Sequence, residues 1–373
     1  MSILHITTGA NYNVTKYYIR FVNDNFIHSN HKFIVIDNPT NVPPEFYNVS
    51  NIIIIDRNKK KYRKLVYEHI KKEEFVILHS LCLDVYLQAS ILIKPLLMGK
   101  IAWVSWGADL YQWNKKKHRN LINKIGNYIR NKINLIFRRR IKYFVGIFPP
   151  DIKYFKKEFK SNAKTFYASY TGNLYNPLYS KDKVFNKLED KVKDSECINI
   201  QVGHSSTNAL NHLEVLKSLE KFKGENIRLY LPLSYGDKNY GDYVEDRAKE
   251  IFNDKAICIR EMMSKDEYME YLSTIDIAIF NTRRQIGLGN ISPMLYMEKK
   301  IYMPKDSVMY NFYKSQQVDI WDYNEIANFD YSEFIQPLKF KGGRKYIVDN
   351  ELDLNHKIDM WNKVFEAPLK RGI

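Results

Sequence analysis

The stretch Ile198-Asn199-Ile200-Gln201-Val202-Gly203-His204-Ser205-Ser206-Thr207-Asn208 reads as a strand, a small polar turn and the start of a helix. Glycine permits the tight turn, while Ser, Thr and Asn cap the helix and leave amides and hydroxyls facing an anion. The same residue types make an ordinary capped βα loop, so its surroundings decide how it is read. Before it, apolar β-rich runs at 3–7, 33–36, 52–55, 75–79, 101–106 and 144–148 alternate with helical stretches. After it, runs at 227–231, 256–259, 275–280 and 301–303 alternate with helices expected at 209–222, 240–252, 265–273 and 292–299. Several runs are continuously apolar, as parallel strands covered on both faces are.

The repeated β-α order predicts an α/β protein with two Rossmann-like domains facing a cleft. Its expected parts are residues 1–169, a polar connection over 170–196, a second domain over 197–350, and a terminal helix within 351–373 that packs back on the first domain. A length of 373 residues suits two domains. Beyond about residue 330 the pattern weakens, apart from Ile358, Trp361 and Phe365 at helical spacing.

Apolar residues make up 45% of the chain, enough for two cores and against disorder. Fifty-eight Lys and Arg against 42 Asp and Glu leave a net charge of +16, which points to an anionic partner: nucleic acid, acidic lipid or a phosphorylated substrate. Cys82, Cys197 and Cys258 are too scattered for a disulfide framework or a metal site, so a reducing compartment is expected. The first strand begins without a basic leader or apolar signal region, so secretion is not expected. The most apolar stretch, 81–106, is broken by Asp84, Lys94 and Lys100, which leaves only peripheral membrane contact.

A second polar turn, Gln285-Ile286-Gly287-Leu288-Gly289-Asn290-Ile291-Ser292, follows the run at 275–280. A dinucleotide fingerprint requires glycine where Ser292 stands, so a nicotinamide site is disfavoured. Arg283 and Arg284 just before it add positive charge suited to a diphosphate. Two such turns at the carboxyl ends of strands in one sheet converge on one crevice. Leu233 and Tyr235 after one neighbouring strand, with Arg260 and Met262 after another, are candidates to touch base or sugar. In the first domain, Trp103-Val104-Ser105-Trp106-Gly107-Ala108-Asp109-Leu110-Tyr111 ends a strand with a carboxylate, and Asp109 is a candidate general base or a cap of the next helix.

The chain contains no D-x-D, no H-E-x-x-H, no G-x-S-x-G and no P-loop, which disfavours metal-chelating transferase, zinc hydrolase, serine hydrolase and NTPase chemistry. No metal and no cofactor is expected. Residues 114–143 carry eleven basic and no acidic side chains, Arg138, Arg139 and Arg140 among them, with apolar residues at helical spacing. This is either a basic amphipathic helix for an anionic membrane or a core-packed helix with a solvated face. The charge is concentrated in one segment and no recognition motif accompanies it, so nucleic acid is not expected as a partner.

The blocks Trp106-Gly107-Ala108-Asp109-Leu110-Tyr111, Val202-Gly203 with Ser205 and His212, and Gln285-Ile286-Gly287-Leu288-Gly289 resemble those of the bacterial 4-acetamido-4,6-dideoxygalactose (Fuc4NAc) transferases of enterobacterial common antigen synthesis. Arg20-Phe21-Val22-Asn23-Asp24 resembles a fourth. The resemblance covers about the first 310 residues. It implies a GT-B fold, a dTDP-activated amino sugar, inversion without a metal, and an undecaprenyl-diphosphate-linked acceptor at the inner face of the cytoplasmic membrane. Where the family has a more Gly/Asp-rich turn, this chain has His204-Ser205-Ser206-Thr207, and Thr8-Gly9-Ala10-Asn11-Tyr12 lacks the family's acidic residue. Other GT-B enzymes keep a glutamate near the donor, and Glu298 lies in the corresponding region.

The expected activity is therefore transfer of a deoxyamino sugar from a dTDP- or UDP-linked donor to a lipid-linked saccharide. Gly203, His204, Ser205, Ser206, Thr207, His212, Arg283, Arg284, Gln285, Gly287, Leu288, Gly289 and Asn290 are expected around the donor. A sugar-nucleotide epimerase of the same architecture and a non-catalytic basic lipid- or nucleic-acid-binding protein are the alternatives.

Overall fold

The computed structural model describes residues 1–9, 12–111, 121–176, 179, 197–340 and 342–369. The chain divides into two compact units, Met1–Tyr175 with Asp353–Ile373, and Asn176–Leu352. Most of the connection expected over 170–196 lies outside the described residues.

The first unit is a seven-stranded sheet in which every pairing is parallel: β1 (Ser2–Thr8), β2 (Asn30–Asp37), β3 (Ile52–Asp56), β4 (Phe75–His79), β5 (Ile101–Ser105), β6 (Tyr143–Gly146) and β7 (Lys164–Tyr167). Their order is β3-β2-β1-β4-β5-β6-β7, so the winding direction reverses between β1 and β4. Side chains alternate across the sheet with the period of two that a strand imposes. Ile3, Phe33, Val35, Phe75, Ile77, Ala102 and Val104 enter one core; Leu4, Ile6, Ile34, Ile36, Val76, Leu78 and Trp103 enter the other. Both faces are covered, which is why β4 and β5 read as unbroken apolar runs.

The helix Leu354–Phe365 belongs to this unit although it is last in sequence. Asp353 caps it by accepting from the His356 amide. Met360, Trp361, Val364 and Phe365 join the first of the two cores, and the Trp361 indole donates to the Ser169 carbonyl at 3.1 Å. The lone helical spacing near the C-terminus is thus the apolar face of a cover for strands more than 180 residues away in sequence.

The second unit repeats the plan in six parallel strands, β8 (Ile198–Val202), β9 (Ile227–Pro232), β10 (Ala256–Ile259), β11 (Ile277–Ile279), β12 (Lys300–Met303) and β13 (Trp321–Asp322). The order β10-β9-β8-β11-β12-β13 reverses between β8 and β11. The helix placed at 292–299 in fact spans Leu288–Tyr296 and starts directly at Gly287, its N-cap. β7 and β13, four and two residues long, left no apolar run to read.

Candidate functional site

In the second unit the turns after β8, β9 and β11 gather at the carboxyl ends of adjacent strands, on either side of the point where the winding reverses. Open α/β sheets bind ligands at such points. Gly203 sits at φ +65°, and a Cβ there would lie 2.5 Å from Nε2 of His212. Its carbonyl accepts from the Gln201 amide at 2.7 Å, and Gln201 is held in turn by the Tyr271 hydroxyl at 2.8 Å. Ser205 and Thr207 share a hydroxyl contact of 2.9 Å, while the Ser206 hydroxyl donates to the Leu233 carbonyl at 2.9 Å. The β8 and β9 turns are tied together, since the Ser206 amide donates to the Tyr235 carbonyl and the Asp237 amide to the Ser206 carbonyl.

The β11 turn closes on the same place. Gly287 has φ +76°, and a Cβ on it would come within 2.8 Å of the His204 ring. His204 therefore lies flat against the N-terminus of the helix Leu288–Tyr296, the end where backbone amides lack intrahelical acceptors. Asn290, one turn in, accepts from the Tyr268 hydroxyl. Burial, with His212 and Arg284 nearby, drives the His204 pKa down to about 3; burial alone takes His212 to about 4. Both rings are thus neutral hydrogen-bonding groups across the physiological range.

Four buried polar atoms around these turns have no partner: His204 Nδ1, His212 Nε2, Gln285 Oε1 and Arg260 Nη1. Buried polar groups are nearly always satisfied by protein, water or a bound group, and these four atoms lie where such a group could reach them.

Several expected donor contacts do not belong to this cluster. Arg283 points outward into an ion pair with Asp306 at 2.6 Å. Arg260 stays in the cluster through Nη1, while its other guanidinium nitrogens are engaged by Asp242 and Glu245. Met262 projects into solvent. Glu298 follows the far end of the helix that starts at Gly287, about 15 Å along its axis at 1.5 Å per residue. There it accepts the Arg344 amide at 3.0 Å, so its carboxylate caps a neighbouring helix. Nothing lies within 4 Å of a Cβ built on Gly289, whereas a Cβ on Gly203, Gly236 or Gly287, all at positive φ, would clash. Tyr235 remains near His204, with ring centroids 6.3 Å apart, and Leu233 is buried beneath the turn. The sequence reading missed Gln201 on β8 and Tyr240, Tyr268 and Tyr271 on neighbouring helices, which brace the turns and carry no motif.

In the first unit, Asp109 does not present a free carboxylate. Its Oδ2 accepts from the Leu81 amide at 2.9 Å and the Trp103 indole at 2.7 Å, and its Oδ1 accepts from the Trp106 amide at 2.8 Å. Burial raises its pKa, opposed by those three donors. Asp109 thus ties the turns after β4 and β5 together, a structural role that neither expected reading, base or helix cap, had described. Arg138 is likewise not a membrane contact. It is 4% exposed, lies over the Trp103 and Phe159 rings, and donates to the Asp109 carbonyl at 3.1 Å.

Beneath the Trp106 turn runs a feature no motif announced. The Trp106 indole donates to the Tyr170 hydroxyl at 2.6 Å; Tyr170 meets His79 Nδ1 at 2.5 Å, His79 Nε2 meets His5 Nδ1 at 3.0 Å, and His5 Nε2 meets His31 Nδ1 at 2.9 Å. Burial lowers the pKa of all three histidines, His79 to about 3 and His31 to about 4. They are neutral imidazoles in a continuous chain. Among the described residues no three His, Cys, Asp or Glu side chains are grouped as a metal ion needs.

The helix Leu121–Arg140 turns Phe137 and Arg138 inward. Its exposed Ile125, Tyr128, Ile129 and Ile136 fall within an arc of about 100° at 100° per residue, and the exposed Lys132 and Arg139 fall inside the same arc with Arg140 at its edge, so the solvent face is a stripe of apolar side chains with cations among them. No described helix is long and apolar enough to cross a membrane.

Residues 1–330 match the family described as 4-alpha-L-fucosyltransferase, glycosyl transferase group 56. Among solved structures, the chain is similar to a glycosyltransferase from Rickettsia africae, with 16% identity, 100% and 99% of the two chains covered and a TM-score of 0.66. It is similar to a sucrose-phosphate synthase from Thermosynechococcus elongatus at 10% identity, with 99% of each chain covered and a TM-score of 0.70. It is also similar to Anabaena HepE in complex with UDP, at 9% identity, 98% and 100% coverage and a TM-score of 0.67. At these identities the likeness establishes the fold, which is the GT-B arrangement of two Rossmann-like domains.

Proposed function

Because the chain belongs to the 4-alpha-L-fucosyltransferase family, glycosyl transferase group 56, and is thus a glycosyltransferase, we propose that it moves a deoxyamino sugar of the Fuc4NAc type from a dTDP- or UDP-linked donor to a lipid-linked saccharide. The observation that carries the donor site is the cluster of unpartnered buried atoms on His204, His212, Gln285 and Arg260 at the winding reversal of the second sheet. The diphosphate lies across the His204 turn and the amino end of the helix Leu288–Tyr296. Neutral imidazoles, hydroxyls and helix-end amides stabilise the charge that builds on it as the anomeric C–O bond breaks. The acceptor oxygen forms the new bond on the opposite face, giving inversion, and its proton passes to a base. The HepE structure was solved with UDP, a nucleoside diphosphate of the class proposed here.

The acceptor is confined to a membrane, and the enzyme works peripherally at the inner face of the bacterial cytoplasmic membrane. Support comes from the apolar side chains and cations that share the exposed face of the helix Leu121–Arg140. The test is a panel of dTDP- and UDP-sugars, with and without lipid-linked saccharides, read by mass spectrometry. Nucleoside diphosphate released only with acceptor present is the expected result. Isomerised donor sugar without transfer overturns the reading in favour of an epimerase, and inertness with every donor overturns it in favour of a binding protein.

A further inference from the structure

At the end of the first sheet opposite the Trp106 turn, where β5, β6 and β7 begin, there is a cavity of about 370 Å³. Its walls carry Arg139, Arg140, Lys142 and Lys160, and no carboxylate lines it. None of the four cations is in an ion pair among the described residues, although the chain holds 42 acidic side chains. Met98, Ile141 and Ala163 make a buried apolar floor. Two large aliphatic side chains are exposed in the segment that supplies Leu92, Pro95, Met98 and Gly99 to the wall: Leu96 is 91% exposed and Ile93, which lines the neighbouring groove of Arg63 and Tyr67, 74%.

The four charges are solvent-exposed, yet they face one cavity and repel each other. An anion bound among them removes that repulsion. Leu96 and Ile93 specify what the anion is attached to, since fully exposed aliphatic prongs beside a cationic pocket suit a phosphate at an apolar boundary. The apolar stripe on the helix Leu121–Arg140 leads down to the same place, because that helix ends in Arg139 and Arg140 at the cavity wall.

We propose that this cavity binds the phosphodiester head group of an anionic phospholipid, with Leu96 and Ile93 inserted among the acyl chains. The site rests on the peripheral-membrane reading and deepens it from general charge attraction to a saturable pocket. It lies at the opposite strand ends from the Trp106 turn, so occupancy leaves that turn open.

The test is co-sedimentation of the full chain with phosphatidylcholine vesicles, with and without phosphatidylglycerol, alongside calorimetric titration with inorganic phosphate. The variant Arg140→Gln/Lys142→Gln/Lys160→Gln is expected to lose the preference for phosphatidylglycerol by about a hundredfold. A charge-retaining Arg140→Lys/Lys142→Arg variant keeps it. Ile125→Ser/Ile129→Ser is expected to weaken binding to both vesicle types equally. A pocket variant that keeps its full preference for phosphatidylglycerol overturns the proposal. Tight binding of inorganic phosphate with no vesicle binding by the wild type also overturns it, identifying a free-anion site and refuting the membrane reading at once. Vesicle binding that the stripe variant abolishes and the pocket variant leaves intact refutes the pocket alone.

Discussion

The indole nitrogen of Trp106 donates to the hydroxyl of Tyr170 at 2.6 Å, and an indole nitrogen has no other role open to it. The arrangement that leaves no phenol proton stranded has Tyr170 donate to His79 Nδ1, His79 Nε2 to His5 Nδ1, and His5 Nε2 to His31 Nδ1. Only the last donor, His31 Nε2, is without a partner. The orientation of the Trp106 turn is therefore coupled to three neutral imidazoles buried along the sheet.

Replacing Tyr170 with Phe removes both the acceptor of Trp106 and the donor to His79. Each buried group left unpaired costs about 1–3 kcal/mol, so thermal unfolding should begin several degrees lower and turnover should fall with it. A calorimetric midpoint equal to wild type would show that the chain does not hold the turn.

Gly287→Ala should weaken donor binding by tenfold or more, because the Cβ meets the His204 ring at 2.8 Å and the backbone stays at φ +76°. Gly289→Ala, with open space at its Cβ, should bind nucleotide like wild type. Titration calorimetry with the nucleoside diphosphate compares the two, and equal affinities would remove the His204–Gly287 contact from the donor site.

Asp109→Asn sets an amide N–H against either the Trp106 amide or the Leu81 and Trp103 donors. Stability should drop by about 1–3 kcal/mol together with activity. A general base behaves differently: turnover falls by about 10²–10⁴ while the unfolding midpoint stays put. Measuring both quantities on one preparation separates locking from proton transfer.

Asp151 is fully buried; its Oδ1 accepts from Tyr111 at 2.7 Å, and burial pushes its pKa up to about 7, against that hydrogen bond and with some repulsion from Asp109. A carboxyl raised on folding favours the folded state fully below its unfolded pKa, near 4, and that contribution is lost as pH rises through about 7. Asp151→Asn should thus gain stability relative to wild type as pH rises from about 4 to about 7, by up to about 4 kcal/mol. Parallel stability curves for the two proteins would refute the shift.

Trp361→Ala should destabilise the first unit by about 3–5 kcal/mol, the usual cost of emptying a large buried site. Limited proteolysis is expected to cut first within Met1–Tyr175, and initial cleavage confined to the second unit would contradict the placement of the terminal helix.

Two rounds of β-α alternation, the polar turns at 203–208 and 285–292 and the basic segment were legible in the sequence because each is a local pattern. Strand periodicity, helix capping and charge density are set by residues within a few positions of one another. The helix Leu288–Tyr296 was misplaced at its start because Gly287 acts there through a close approach to His204, 83 positions earlier. Glu298 and Arg283 carried the right chemistry in the right neighbourhood, yet helix rise and a surface ion pair took them away from the donor turns. Asp109 and Arg138 changed role because burial gave each of them several partners. The His31-His5-His79-Tyr170 chain joins residues 26, 74 and 91 positions apart, on three strands and a loop. Sequence alone determined the two-domain α/β fold and the polar turns at the ends of its strands. Which polar groups are satisfied and which wait for a ligand was decided only by tertiary packing, because burial and partnership belong to contacts between segments distant in the chain.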